Sequence, residues 1–343
     1  MTDVTASEAT TSRASAAPAR QTLAGAVARG RRQVLAELPG VEHLATRLEV
    51  PVTARSAWIR AQLDAERGVE PWAVQVRSAR GELLAAAVVL DDEHGARLAG
   101  GGGGHRGAVV AVDDDAAAAL GRCVADEADR RGHRGVCGVL HDDPRVRAFA
   151  AGAGALVTPA PPVPALLANA ERELADRLSH GMLRTLRKAR NRLDGDRRAA
   201  HIVVTRRGEE VVAALPGMER VYRASDERHG VADGGGCDEV ALWRARIRRL
   251  LEQRALELTA LTVDGQLAAY VLGVRDSGWY RILDGRMESA FARYAPGRVV
   301  EAAVIAQALS TGVAGVDWMT SVAPETLLAA DALQPVVTIT PGR

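Results

Sequence analysis

The stretch Arg293-Tyr-Ala-Pro-Gly-Arg298 has an evident chemical use. It falls between an expected strand and an expected helix, where free backbone N–H groups and the positive end of a helix dipole can hold phosphate. Gly297 lets backbone approach a ligand closely, and Arg298 can grip a phosphate with two parallel hydrogen bonds. An ordinary Pro-Gly helix start with an exposed arginine has the same appearance. Upstream, Arg184, Arg187, Lys188, Arg190 and Arg192 crowd into one helical segment whose leucines Leu183, Leu186 and Leu193 lie on or near one face. The cations therefore point largely outward. They form either a solvated face or a cradle for a phosphate-rich molecule, such as a nucleotide or a tRNA stem, and Arg206 and Arg207 extend the patch.

Groups able to move protons are fewer. Asp284 ends a strand, and Tyr280 lies four residues earlier, which in a regular strand places both on one side. Asp317 closes the following strand. Tyr222, Arg223, Asp226 and His229 share a helical stretch ahead of the loop Asp233-Gly-Gly-Gly-Cys237. The run Gly100 to Gly104 before His105-Arg106 lacks the lysine of a phosphate loop and is expected to be a flexible connection. His133, His141 and Asp142 lack metal-ligand spacing, so no metal is expected. No G-x-S-x-G elbow supports a serine hydrolase.

The elements that position these groups fall into two similar runs. In the first, helices are expected over Gln21 to Leu48, broken near Pro39-Gly40, and over Thr53 to Glu66. A hairpin follows (Trp72 to Arg77, Glu82 to Leu90), then a strand over Ala108 to Val112. The helix Ala116 to Arg131 starts on acidic Asp113-Asp-Asp115, and the run ends with the strand Gly135 to Leu140 and the helix Pro144 to Gly152. Thr158-Pro-Ala-Pro-Pro-Val-Pro164 is too rich in proline for helix or central sheet, which places a domain boundary near residue 165. The second run has helices over Arg172 to Leu193, Glu209 to Glu227 and Val240 to Glu252, with a strand over Ile202 to Thr205. Its hairpin turns on Asp264-Gly265, and the strand Gly278 to Asp284, the helix Gly297 to Thr311 and the strands Val313 to Trp318 and Gln334 to Thr340 complete it. The expected division is a disordered tail over 1–20 and domains over 21–165 and 166–343.

The chain has 343 residues and a net charge of +1, so no overall field draws it to DNA, RNA or membrane. Cys123, Cys137 and Cys237 are widely spaced and read as reduced thiols. No leader pattern or membrane-length apolar run is evident, and a cytoplasmic location is expected.

The second half resembles the BioF2-like (CelD-like) acetyltransferase domain of the GNAT superfamily, relatives of the FemABX aminoacyl transferases. The resemblance rests on Leu183 to Leu193, Val221-Tyr222-Arg223, Leu258 to Val271, Trp279-Tyr280, Tyr294-Ala-Pro-Gly-Arg298 and Gly315-Val-Asp-Trp318, in that order. It implies an α/β (α+β) fold of tandem GNAT-like domains, each a twisted mixed sheet flanked by helices, with an acyl donor in the cleft where two central strands splay apart. The superfamily's donor motif R/Q-x-x-G-x-G/A is incomplete here: from Arg293 the glycine falls at the wrong step and the second is missing.

The resemblance implies an N-acyltransferase moving an acyl group, acetyl in the simplest case, from acyl-CoA to the amine of a small molecule. Donor binding then falls to Arg293, Gly297, Arg298, Arg187 and Lys188. Asp284 is the expected base, Tyr280 and Asp317 orient the acceptor, and Tyr222, Arg223, Asp226 and His229 line its pocket. Two alternatives remain open on the sequence. One is an aminoacyl-tRNA-dependent transferase forming an amide or ester on a small metabolite or peptide. The other is an inactive GNAT-like binding module.

Overall fold

A computed structural model describes residues 23–101, 104–168, 174–229, 239–320 and 329–342, with 174–175 and 226–229 described as backbone. The expected tail and the loop from Asp233 to Cys237 lie outside the described residues.

In the first half, β1 (Leu23–Arg29), β2 (Glu70–Ser78), β3 (Leu83–Asp92), β4 (Gly95–Leu98), β5 (Val110–Ala111) and β6 (Val136–His141) are strands. The helices are α1 (Gly30–Arg47), α2 (Ser56–Ala65), α3 (Asp114–Arg130) and α4 (Pro144–Ala153). Asp113 caps α3 by accepting from Ala116 N–H at 2.8 Å, as its acidic start foreshadows. Two local expectations are corrected. Leu23–Arg29 is a strand because it pairs antiparallel with β2 along its whole length. The helix α1 runs through Pro39 because Leu38, Val41 and Leu44, on either side of it, are all buried. Tertiary packing outweighs the local cost of the proline there.

The second half holds β7 (Leu156–Leu167), α5 (Leu174–Arg177), α6 (His180–Gly195), β8 (Ala200–Thr205), α7 (Gly208–His229) and α8 (Glu239–Glu252). Then come β9 (Leu256–Val263), β10 (Gln266–Asp276), β11 (Trp279–Met287), α9 (Pro296–Ser310), β12 (Gly315–Asp317) and β13 (Ala332–Thr340). The expected single helix over 172–193 is two, because Ser179 caps a new start by accepting from Met182 N–H at 3.1 Å. Asp264 and Gly265 both take positive φ, the backbone of a tight hairpin turn between β9 and β10.

The strands form one mixed sheet in the order β1-β2-β3-β4-β6-β13-β7-β12-β11-β10-β9-β8, with β5 beside β3. Each half contains one parallel pair, β4 with β6 and β11 with β12, bridged by a helix. The last strand, β13, returns to lie between β6 and β7 and joins the halves. The proline-rich segment, expected to avoid central sheet, is the strand β7. It is tolerated because residues 158–164 pair on one edge only, with β13, while the pairing with β12 is confined to Ala165, Leu166 and Leu167. A missing N–H costs little on an edge that makes no ladder.

Helices α6 and α9 cover one face of the second half's sheet, where Met182, Val300, Val304, Ile305 and Tyr280 pack together. Helices α7 and α8 cover the other, and Trp58 of α2 enters that second cluster beside Trp243 and Tyr270. Beneath this contact runs a buried chain of alternating charge. Asp276 accepts from Val52 N–H at 2.6 Å and pairs with Arg55 at 2.7 Å and Arg281 at 3.1 Å. Arg281 also reaches Asp317 at 2.6 Å, and Asp317 pairs with Arg106 at 2.7 Å. Two of its five charged residues, Arg55 and Arg106, come from the first half, and Asp276, Arg281 and Asp317 come from the second.

Truncating one member of a buried ion pair strands its partners in low dielectric and costs about 3–5 kcal/mol. Asp317→Ala is therefore expected to lose stability on that scale in urea denaturation, whereas Arg187→Ala on the exposed face of α6 should stay within about 0.5 kcal/mol of wild type. Equal effects would contradict this assignment.

Candidate active site

The described pairing of β11 with β12 ends at Arg281 and Asp317. Beyond that point β11 continues to Met287 and the two chains part. The edge from Ile282 to Met287 lines a cavity of about 1800 Å³. The start of α9 lines it too, through Ala295, Gly297 and Arg298. No described side chain caps α9, and Pro296 occupies its first turn, an arrangement that suits an anion. Arg298 pairs with Glu301 at 2.7 Å, and Glu301 also accepts from Trp318 Nε1 at 2.9 Å.

A second wall of the cavity is aromatic and apolar: Trp58, Tyr222, Trp243, Tyr270, Leu242 and Ile247. Asp284 lies on this wall. Its Oδ2 accepts from Tyr270 Oη–H at 2.7 Å and Trp243 Nε1–H at 3.0 Å, and Arg286 stands 3.4 Å from Oδ1. Burial, followed by the neighbouring Asp284 charge, pushes the Tyr270 hydroxyl far above the ordinary phenol range. It therefore remains a proton donor to the carboxylate. Arg286 stacks over Tyr222 at 4.8 Å, and Arg246 over Trp58 at 4.1 Å.

Of the residues singled out in the sequence, Asp284, Tyr222, Gly297 and Arg298 are brought to this one cavity. Tyr280 is not. The β10–β11 pairing shifts register so that Gly273 faces Ile282 and Leu272 faces Asp284, leaving Leu283 as a bulge. The extra residue turns Asp284 to the sheet face opposite Tyr280, whose ring packs against Gly273 on the α9 side. Asp317 is fully buried in the charge chain and absent from the cavity wall. Arg293 is exposed and pairs with Asp196 at 3.0 Å, and Arg223 pairs with Glu219 at 3.0 Å, both away from the wall. Arg187 and Lys188 are exposed on α6. Asp226 and His229 lie in the last turns of α7, and their side chains are outside the described residues.

The first half contributes a residue that the sequence reading passed over. His105 lines the cavity at 5% exposure, its ring edge-on to Trp58 at 4.9 Å. The described ends of the glycine run before it are clamped rather than loose. Gln62 accepts from Gly100 N–H and donates to the Gly101 carbonyl, both at 2.8 Å. Gly100 has φ +99°, and a Cβ there would stand 2.5 Å from the Thr53 carbonyl oxygen, so only glycine fits. His105 itself bridges to Thr320, just past the point where β12 leaves β11. The available signal was a histidine directly following a glycine run.

Residues 175–325 match the acetyltransferase (GNAT) domain family, and that segment carries a GNAT-type acyltransferase domain. No curated protein matches it in sequence. Three solved structures share its fold at low identity. The C-terminal domain of a candidate lysylphosphatidylglycerol synthetase from Agrobacterium fabrum is 14% identical with a TM-score of 0.60, over 89% of this chain and 91% of that one. FemX is 11% identical with a TM-score of 0.57, over 81% and 86%. A tandem GNAT protein from the clavulanic acid biosynthesis pathway is 14% identical with a TM-score of 0.51, over 92% and 98%. Among the described residues no helix is long and apolar enough to cross a membrane.

Burial, and then the charges of Arg246, Arg106 and Arg286, hold His105 well below the usual imidazole range. Unfolded, this group titrates near about pH 6.5. Below that pH the unfolded chain binds a proton that the folded chain refuses, so stability falls as pH falls. In urea denaturation His105→Gln should flatten the decline between about pH 6.5 and 5, with His141, lowered mainly by burial, retaining part of it. An unchanged slope would contradict the buried neutral imidazole.

Proposed function

We propose that the chain transfers an acyl group, acetyl in the simplest case, from an acyl-CoA thioester to the amine of a small molecule. The observation that carries this reading is the meeting, in one cavity, of the α9 N-terminus and an edge of β11, neither engaged by another described residue there. A helix N-terminus suits a pyrophosphate, and free strand N–H and C=O groups suit the amides of a pantetheine arm. The aromatic wall opposite is left for the acceptor. Asp284 is already engaged by Tyr270, Trp243 and Arg286, so in this reading it fixes that wall and supplies a charge for the acceptor to align on. Arg293, Arg187 and Lys188 lie outside the cavity and serve only the outer, nucleotide end of the donor. In this reading the two halves, divided near residue 165, share a single cleft, and a cytoplasmic pool supplies the acyl-CoA.

The outward cations of α6 favour a second reading, transfer from an aminoacyl-tRNA as in FemABX proteins. Arg184, Arg187, Lys188, Arg190 and Arg192 are all exposed, and Arg192 donates to the Arg293 carbonyl beside α9. This basic face thus borders the donor end of the site.

Thermal unfolding separates the two. Acetyl-CoA at 100 times its dissociation constant should stabilise the protein by about 2.7 kcal/mol. Gly297→Val should abolish that gain while leaving the unliganded protein folded, because a Cβ at 297 meets only Met287 at ordinary contact distance. Stabilisation by charged tRNA alone, fading as salt rises, would overturn the acyl-CoA reading in favour of the second.

A further inference from the structure

Acylation of an amine needs a group to receive the nitrogen's proton, and among the buried groups of the cavity wall one ring is not engaged by a described side chain. Asp284 accepts two hydrogen bonds and faces Arg286. Tyr270 is a donor to Asp284. Glu301 is shared by Arg298 and Trp318. The His105 ring, by contrast, makes no hydrogen bond to another described side chain, and its Nδ1 is a buried atom without a partner. A buried imidazole with no partner is costly to keep, and its loop is built to hold it there. Gln62 clamps the glycine run on one side, and Arg106 anchors the other by its pair with Asp317.

We propose that His105, supplied by the first half, is the base that takes the proton from the acceptor during acyl transfer. The proposal rests on acyl transfer occurring in this cavity and is independent of which donor is used. The acceptor nitrogen attacks the acyl carbon, and a C–N bond forms. The N–H proton passes to a ring nitrogen of His105, the bond from the acyl carbon to the leaving sulfur or oxygen breaks, and the leaving group departs with its electron pair. The imidazolium then returns the proton to that leaving group or to water, so the base is regenerated without any oxidant or reductant. Burial and the surrounding arginines, Arg246, Arg106 and Arg286, hold the resting ring neutral, and the imidazolium they disfavour gives its proton up readily to the leaving group. Asp284 is the carboxylate on the same wall. Because Trp58, Tyr222, Trp243, Leu242 and Ile247 surround this region, the acceptor that fits presents its nitrogen on an apolar or aromatic body.

The test uses the full chain and its His105→Ala and His105→Gln variants. Release of free CoA from acetyl-CoA is measured against a panel of arylalkyl amines, and transfer from charged tRNA to the same panel is measured in parallel. Both variants should lose about 10²–10⁴-fold in kcat with whichever donor the wild type uses. Donor binding should be unchanged, and added imidazole should restore part of the activity of His105→Ala but not of His105→Gln. A merely structural histidine gives no imidazole rescue and loses donor binding together with rate. Turnover by both variants within about threefold of wild type would overturn the role of His105 and leave the acyl-CoA reading standing. Wild-type transfer from tRNA alone would overturn the acyl-CoA reading, and the same comparison of variants would still decide His105.

Discussion

Asp317 holds the molecule's two halves and its open cleft in a single arrangement. It is the last residue of β12 that pairs with β11, and it is fully buried. Its carboxylate must therefore be matched by charge, and Arg281 and Arg106 supply it at 2.6 and 2.7 Å. Arg281 is the residue opposite Asp317 in the ladder, and Arg106 comes from the other half. Met319 N–H also donates to Asp317 at 2.8 Å, which turns the chain away from β11 as soon as the pairing ends. The parting of the strands and the docking of the halves thus depend on the same buried group. Such a chain adds little net stability over an apolar core, but it tolerates few other arrangements.

From that constraint the cavity follows. Once β12 leaves, the edge of β11 pairs with no further described strand, and α9 begins beside it with no cap from a described side chain. Arg106 fixes its neighbour His105 against Trp58, so the first half closes the far side of the space. At about 1800 Å³ the cavity exceeds the range usual for one small ligand, in keeping with two substrates meeting in it. The aromatic side chains are concentrated there: three of the five tryptophans (Trp58, Trp243 and Trp318) line it in a chain that is only 3% aromatic.

The features legible in the sequence are those set by local chemistry. Asp264-Gly265 makes its hairpin turn because those residues accept positive φ, and Pro296-Gly297 starts a helix because proline needs no N–H there. Asp284, Tyr222, Gly297 and Arg298 stand out in the sequence by type and by resemblance, and all four line one cavity. What was hidden depends on pairing between distant segments. Counting residues puts Tyr280 and Asp284 on one side, but the bulge at Leu283 arises only when β11 meets β10. The prolines of β7 exclude it from a sheet only if both edges are paired. His105 follows a glycine run that looks loose until Gln62, nearly forty positions earlier, closes on it.

The central claim is that donor and acceptor meet between the halves at the parting of β11 and β12. It is tested most directly by an experimental structure with a non-transferable acetyl-CoA analogue. The expected result is pyrophosphate at the N-terminus of α9, the pantetheine arm along Ile282 to Met287, and the acyl end facing His105 and Tyr270. An analogue bound elsewhere, or lying only on the basic face of α6, would contradict it.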